Sequence, residues 1–195
     1  SPDQWRWSRT GPDGRWTPEP RGRERAFAKY DGVLAGLARG TIPAFVNFGE
    51  GYQEQLGVMA YQRTLDRQLL SLLDWPVWDS VTSEFEAALT DSVIAAAVAQ
   101  LPPEYLAGGA SFLAAGLRAR RDLLPKAAQG LYRLINQEAA FFGTPGADTV
   151  TVTRMQDGAL ELAFQGGFRR VYAPGETDAV ALYLGGGADR INLAG

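Results

Sequence analysis

The acids Asp66, Asp74, Asp79, Glu84, Glu86 and Asp91 are the side chains whose type best suits proton transfer, since two facing carboxylates can serve as general acid and base. No spacing singles out two of them. Each also suits a helix cap or first turn, where the positive end of the helix dipole favours an acid, so no catalytic residue is assigned. The run Leu117–Lys126 gathers Arg118, Arg120, Arg121 and Asp122. Guanidinium groups so placed can clamp a phosphate or carboxylate, but a solvated helical face or an ion pair between helices is the preferred reading. The stretch Leu184–Ile191, LGGGADRI, is similar to one turn of the glycine–aspartate calcium nonapeptide. That site takes ligands from stacked repeats, and a glycine-rich turn accounts for a single copy equally well, so no metal is assigned.

The chain has no histidine and no cysteine. That removes disulfides, thiolate or imidazole zinc sites, cysteine nucleophiles and any histidine base. The tryptophans Trp5, Trp7, Trp16, Trp75 and Trp78 are the other conspicuous set. Tryptophan buries a large area with one N–H donor to spare, which suits both a docking surface and an anchor that pins a loop. The anchor is the preferred reading, because loops need such packing to be ordered.

Elements must position these residues. Residues 1–21 hold four prolines and the turn signal Pro12-Asp13-Gly14, and are expected as a loop or short hairpin. Helical spacing of Phe27, Tyr30, Val33, Leu34 and Leu37 predicts a helix over 23–39, and Leu65, Leu69 and Leu72 predict another over 52–73, with 41–52 extended or irregular between them. Pro76 is expected to break the second helix. Ser83-x-x-Glu86 has the capping-box pattern, Thr90 or Asp91 opens an alanine-rich helix, and Pro102-Pro103 closes it. From Glu104 to about residue 140 a long helix is expected, kinked or divided at Pro125.

After Gly143 the period changes to alternation. Strands are expected at 149–155, 159–164, 168–172 and 179–184, with a last one within 188–195, and Asp157-Gly158 marks a hairpin. No internal repeat is apparent. Helices first and strands last predict an α+β fold: an irregular segment over 1–21, a helical body over 22–142 and a small antiparallel sheet over 143–195, packed as one domain.

At 195 residues and 46% hydrophobic the chain can bury one core. Its longest apolar stretches fall well short of the ~20 residues of a membrane span. A net charge of −3, with the signs interspersed, gives no nucleic-acid footprint. Ser1, in place of a start methionine, is taken as a processed or excised terminus.

Three segments resemble a middle region of large, multidomain, envelope-associated bacterial proteins, in some of which a phosphoesterase region and an outer-membrane barrel flank it. Gln4-Trp5-Arg6-Trp7 is similar to the end of a segment reminiscent of a kinase catalytic loop, and Pro18–Phe27 to a Pro-Ile-Pro-Arg-Asp-Arg-Asp-x-Ala-Phe segment. Leu117–Leu123 is similar to an arginine-rich helix of that family, and 176–191 to its closing strands. Gly22 and Glu24 stand where the family has aspartates suited to magnesium, and the stretch that would carry the catalytic aspartate lies upstream of Ser1. The resemblance therefore implies a non-catalytic remnant.

The function expected is a protein-interaction module without a cofactor, acting in the periplasm or on the envelope side. It would be an accessory or stabilising subunit of a larger envelope or membrane-bound complex, whether for transport, respiration or photosynthesis, with other protein subunits as partners. The alternative is a kinase-like remnant that binds nucleotide or phosphate with magnesium, Asp3, Glu24 or Asp31 holding the metal and Arg21 or Arg23 the phosphate. Against it, the only lysines, Lys29 and Lys126, lie in no phosphate cradle.

Overall fold

The aromatic N-terminal segment forms a regular hairpin. Strands β1 (Trp5–Arg9) and β2 (Trp16–Pro20) pair antiparallel with Trp5 opposite Pro20 and Arg9 opposite Trp16. The structure, a computed structural model, describes residues 5–23, 26–30, 32–39, 47–52 and 63–195. It divides into two units, Ser1–Gln62 with Leu89–Leu123, and Arg63–Ala88 with Leu124–Gly195.

In the first unit the helix expected over 23–39 is confined to α1 (Val33–Arg39). Phe27 and Tyr30 precede it, because Gly32 takes φ +119°, a left-handed backbone that no helix accommodates. Residues 47–52 are irregular, as expected; the rest of the 41–52 stretch lies outside the described residues. The Thr90 cap is formed: its hydroxyl accepts the Val93 N–H at 3.2 Å at the start of α4 (Asp91–Val98). Helix α5 (Pro103–Asp122) then begins with proline in its first turn, where no N–H is needed. The two helices bury Val98 and Leu113 around Phe48. Asp91, at the start of α4, receives both Arg121 at 2.6 Å and Arg118 at 3.4 Å from α5, so these arginines form the ion pair between helices.

In the second unit the helix expected over 52–73 is seen as α2 (Arg63–Leu70), with 53–62 outside the described residues. The second helix does end ahead of Pro76, at Leu70, and Pro76 itself starts the next helix. It lies in the first turn of α3 (Trp75–Ala88), behind Asp74, whose Oδ1 accepts the Val77 N–H at 3.3 Å. Ser83 and Glu86 therefore sit inside α3 and cap nothing. Pro125 does divide the next helical stretch, since α5 ends at Asp122 and α6 spans Leu124–Asn136.

Six strands follow: β3 (Glu138–Phe142), β4 (Thr149–Arg154), β5 (Leu160–Phe164), β6 (Arg169–Tyr172), β7 (Ala179–Tyr183) and β8 (Arg190–Ala194). The Asp157-Gly158 hairpin joins β4 to β5, and β5 pairs β6, both antiparallel. Two expectations are corrected here. The stretch 22–142 is not wholly helical, since it ends in β3, whose Ala139, Ala140 and Phe141 are buried where a helical continuation was expected. The C-terminal strands are not purely antiparallel either: β7 pairs β3, and β8 pairs β4, both parallel. The chain is a mixture of helix and sheet, with the core of this unit formed by Ala139, Phe141, Val150, Leu162, Tyr172 and Leu184.

Candidate functional site

Side chains directly opposite in a hairpin share a face. The register of β1 and β2 therefore places Trp5, Trp7, Arg9, Trp16, Pro18 and Pro20 together, and turns Arg6, Ser8, Thr17 and Glu19 the other way. This tryptophan–proline face is in solvent: Trp5 and Trp7 are 40% exposed and Trp16 60%. Guanidinium groups frame it, Arg23 lying 4.4 Å from the Trp5 ring centre and Arg9 5.1 Å from that of Trp16. Arg21 is exposed beyond the end of β2. Of the alternative phosphate and metal set, Glu24, Asp3 and Asp31 lie outside the described residues.

Trp75 and Trp78 behave differently. Both are half-buried and meet the Tyr132 ring edge-on, at 5.3 and 5.7 Å between centres. Tyr132 donates its phenol proton to Glu176 Oε1 at 2.5 Å and accepts from Arg170, which also pairs with Glu176. Arg170 is buried, and Glu176 nearly so. Burial first, and then the bond to Glu176, push the Tyr132 phenol up to about 12. A cleft of about 680 Å³ opens over this network between α6 and the β6–β7 loop, with Trp75, Arg133, Gln137, Pro174 and Asp178 on its walls. Its Glu176 carboxylate accepts a third hydrogen bond within the protein, at Oε2 from the Ala173 N–H at 2.7 Å. The cleft can hold a ligand against an aromatic wall, while the Glu176 carboxylate is held in place by these three bonds.

The LGGGADRI segment has a structural counterpart within the chain. Because β7 and β8 lie parallel to β3 and β4 at one constant offset of 41 residues, the bend over residues 184–189 stacks on a second bend over 143–148. Each bend ends in Gly-x-Asp or Gly-Ala-Asp: Gly146-Ala147-Asp148 in one, Gly187-Ala188-Asp189 in the other. The buried Asp148 carboxylate accepts the Thr144 N–H at 2.6 Å and the Thr144 hydroxyl at 2.8 Å. Asp189 Oδ1 accepts the Asp148 N–H at 3.0 Å. These carboxylates thus fasten the bends to themselves and to each other, and among the described residues no group of three or more acids, histidines or cysteines gathers around a common point.

Reasoning from the sequence missed Tyr132, Arg170, Glu176 and Asp148. The signal for Asp148 was present, as the Gly-Ala-Asp triplet occurs twice. No helix among the described residues is long and apolar enough to cross a membrane. Comparison with family models, with curated proteins and with solved structures finds no match to this chain.

Proposed function

We propose that this chain is a non-catalytic protein-interaction module whose docking surface is the face formed by Trp5, Trp7 and Trp16. The observation that carries this reading is their exposure on a hairpin in which every strand residue but Ser8 is exposed. A two-stranded hairpin is marginal in water by itself, and three exposed indoles flanked by arginines have the composition of an interface hot spot. The partner chemistry is a protein surface with an apolar patch that covers the indoles and acidic groups that meet Arg9 and Arg23. The role that fits is an accessory or stabilising subunit of a larger envelope or membrane-bound assembly. The test is cross-linking and co-purification from native membranes with wild type and with a Trp5→Ala/Trp7→Ala/Trp16→Ala variant. A partner set lost in the variant supports the reading; a wild-type chain recovered as monomer only, or a variant that retains every partner, overturns it.

A further inference from the structure

The two stacked bends form a short solenoid of two rungs, each a strand, a glycine-rich bend ending in aspartate, and a second strand. Rung one is β3–bend–β4 and rung two is β7–bend–β8. Four ladders run from the first rung to the second. Phe142 and Tyr183 stack ring on ring, with centres 4.8 Å apart and planes 10° from parallel. The Asp148 N–H meets the Asp189 carboxylate. Asn192 reaches the Thr151 hydroxyl at 3.5 Å, and the aliphatic pairs Val150/Ile191 and Val152/Leu193 lie side by side.

The two ends of this stack are unlike. On the rung-one side β4 is paired by β5, and β3 is closed by Ser71, whose Oγ accepts the Ala140 N–H at 3.2 Å and shares its one proton between the Ala140 carbonyl at 2.8 Å and the Arg67 carbonyl at 2.6 Å. On the rung-two side β7 and β8 are the outer strands of their sheets. There every ladder runs out into solvent. Tyr183 is 54% exposed, Ile191 51% and Leu193 80%, although Val150, the partner of Ile191, is fully buried. Among the described residues no carboxylate meets the Asp189 N–H as Asp189 meets that of Asp148. Repeat architectures need a cap at each end, and an uncovered edge strand is a template for another strand.

We propose that the open edge of β7 and β8 is a strand-addition site for a third rung supplied by a partner polypeptide. The interface it would extend is the rung-on-rung contact already formed inside this chain, and that contact specifies the occupant. It is an extended segment pairing parallel to β7 and β8, with an aromatic over Tyr183, a glycine-rich bend, an aspartate whose carboxylate accepts the Asp189 N–H, and alternating aliphatic residues over Ile191 and Leu193. Backbone hydrogen bonds would supply the affinity and these side-chain ladders the register. The site is independent of the tryptophan face, so either can fail without the other.

The experiment uses the full chain and a labelled synthetic peptide copying residues 179–195, titrated by fluorescence anisotropy up to millimolar concentration. Saturable binding is expected, with slowed amide exchange along β8. It should weaken at least tenfold with the Leu193→Lys chain, whose substitution lies at an exposed position, and with a peptide in which the aspartate corresponding to Asp189 is replaced by alanine. Circular dichroism checks that the Leu193→Lys chain is folded, and Ile191→Lys serves as a second edge variant. No binding at millimolar peptide, binding that neither edge variant nor the altered peptide weakens, or closure of the edge by dimerisation of the chain alone would each overturn the proposal.

Discussion

Ser71 Oγ makes hydrogen bonds to both the N–H and the carbonyl of Ala140, a residue 69 positions away, and in doing so closes the outer edge of β3. A hydroxyl here replaces the neighbouring strand that the edge lacks. Ser71→Ala would leave two buried backbone groups without partners, and the expected loss is about 1–3 kcal/mol. Urea denaturation of the variant gives the number, and an unchanged midpoint would show that the contact contributes nothing.

The ion pair between Arg170 and Glu176 is buried, and the Tyr132 hydroxyl is hydrogen-bonded to both of its members. Removing one charge strands the other, so Glu176→Gln is expected to destabilise the second unit by about 3–5 kcal/mol. Tyr132→Phe removes two hydrogen bonds, to Glu176 and from Arg170, and keeps the ring against Trp75 and Trp78, and should cost about 1–3 kcal/mol. If the two variants unfold alike, the charge is not what the network depends on.

Alkaline titration should reveal two slow tyrosines. Burial pushes the phenols of Tyr132 and Tyr172 up to about 12, with Arg170 opposing the shift at both. A phenol whose folded pKa lies above its unfolded value, about 10, favours the native state fully below pH ~10, and that contribution is lost as the pH rises through 12. Tyrosinate absorbance should therefore show a late phase near pH 12, and Tyr132→Phe should reduce it. A titration of the folded protein without that late phase would contradict the burial described.

Exposure of the tryptophan face separates docking from anchoring. Trp5→Ala, Trp7→Ala and Trp16→Ala should each change stability by no more than about 0.5 kcal/mol, as at other exposed sites. Trp78→Ala, at the Tyr132 ring, should cost about 2–3 kcal/mol, less than the ~3–5 kcal/mol of a fully buried ring. Thermal denaturation of the four variants distinguishes them; equal losses would make all four tryptophans anchors.

Gly187 tests the stacking of the bends. It takes φ +122°, and a Cβ there would meet the Gly146 backbone at 2.6 Å. Gly166 also has a positive φ, +100°, but faces open space. Gly187→Ala should therefore cost more than Gly166→Ala, by more than about 1 kcal/mol, and equal losses in denaturant would mean that backbone strain alone matters.

What the sequence revealed were the features written into neighbouring residues. Thr90 ahead of Val93, Pro102-Pro103 ahead of α5 and Asp157-Gly158 between alternating runs each act over a few positions, and each was legible. The Ser83/Glu86 pair misled because a capping box requires a non-helical first residue, and Asp74 with Pro76 had already started α3 upstream. The parallel pairings were not legible. Nothing local to β7 says that it will skip β6 and join β3, and the two bends share little beyond Gly-Ala-Asp, the first using Thr144 and Pro145 where the second uses glycines. The tryptophan face was half legible: residue type marked it, but only the register of β1 on β2 shows that all three indoles fall on one side.

The second unit is assembled from two separate stretches of chain, Arg63–Ala88 and Leu124–Gly195. That discontinuity sets an order of events at the ribosome. Trp75 and Trp78 emerge long before Tyr132, and Ser71 long before the Ala140 backbone that it closes. At ~5–20 residues per second, the newly made α2–α3 segment waits for seconds with its apolar side unsatisfied, while Leu89–Leu123 is still being translated. A nascent-chain arrest before residue 132 should therefore hold this segment in a chaperone-accessible, protease-sensitive state.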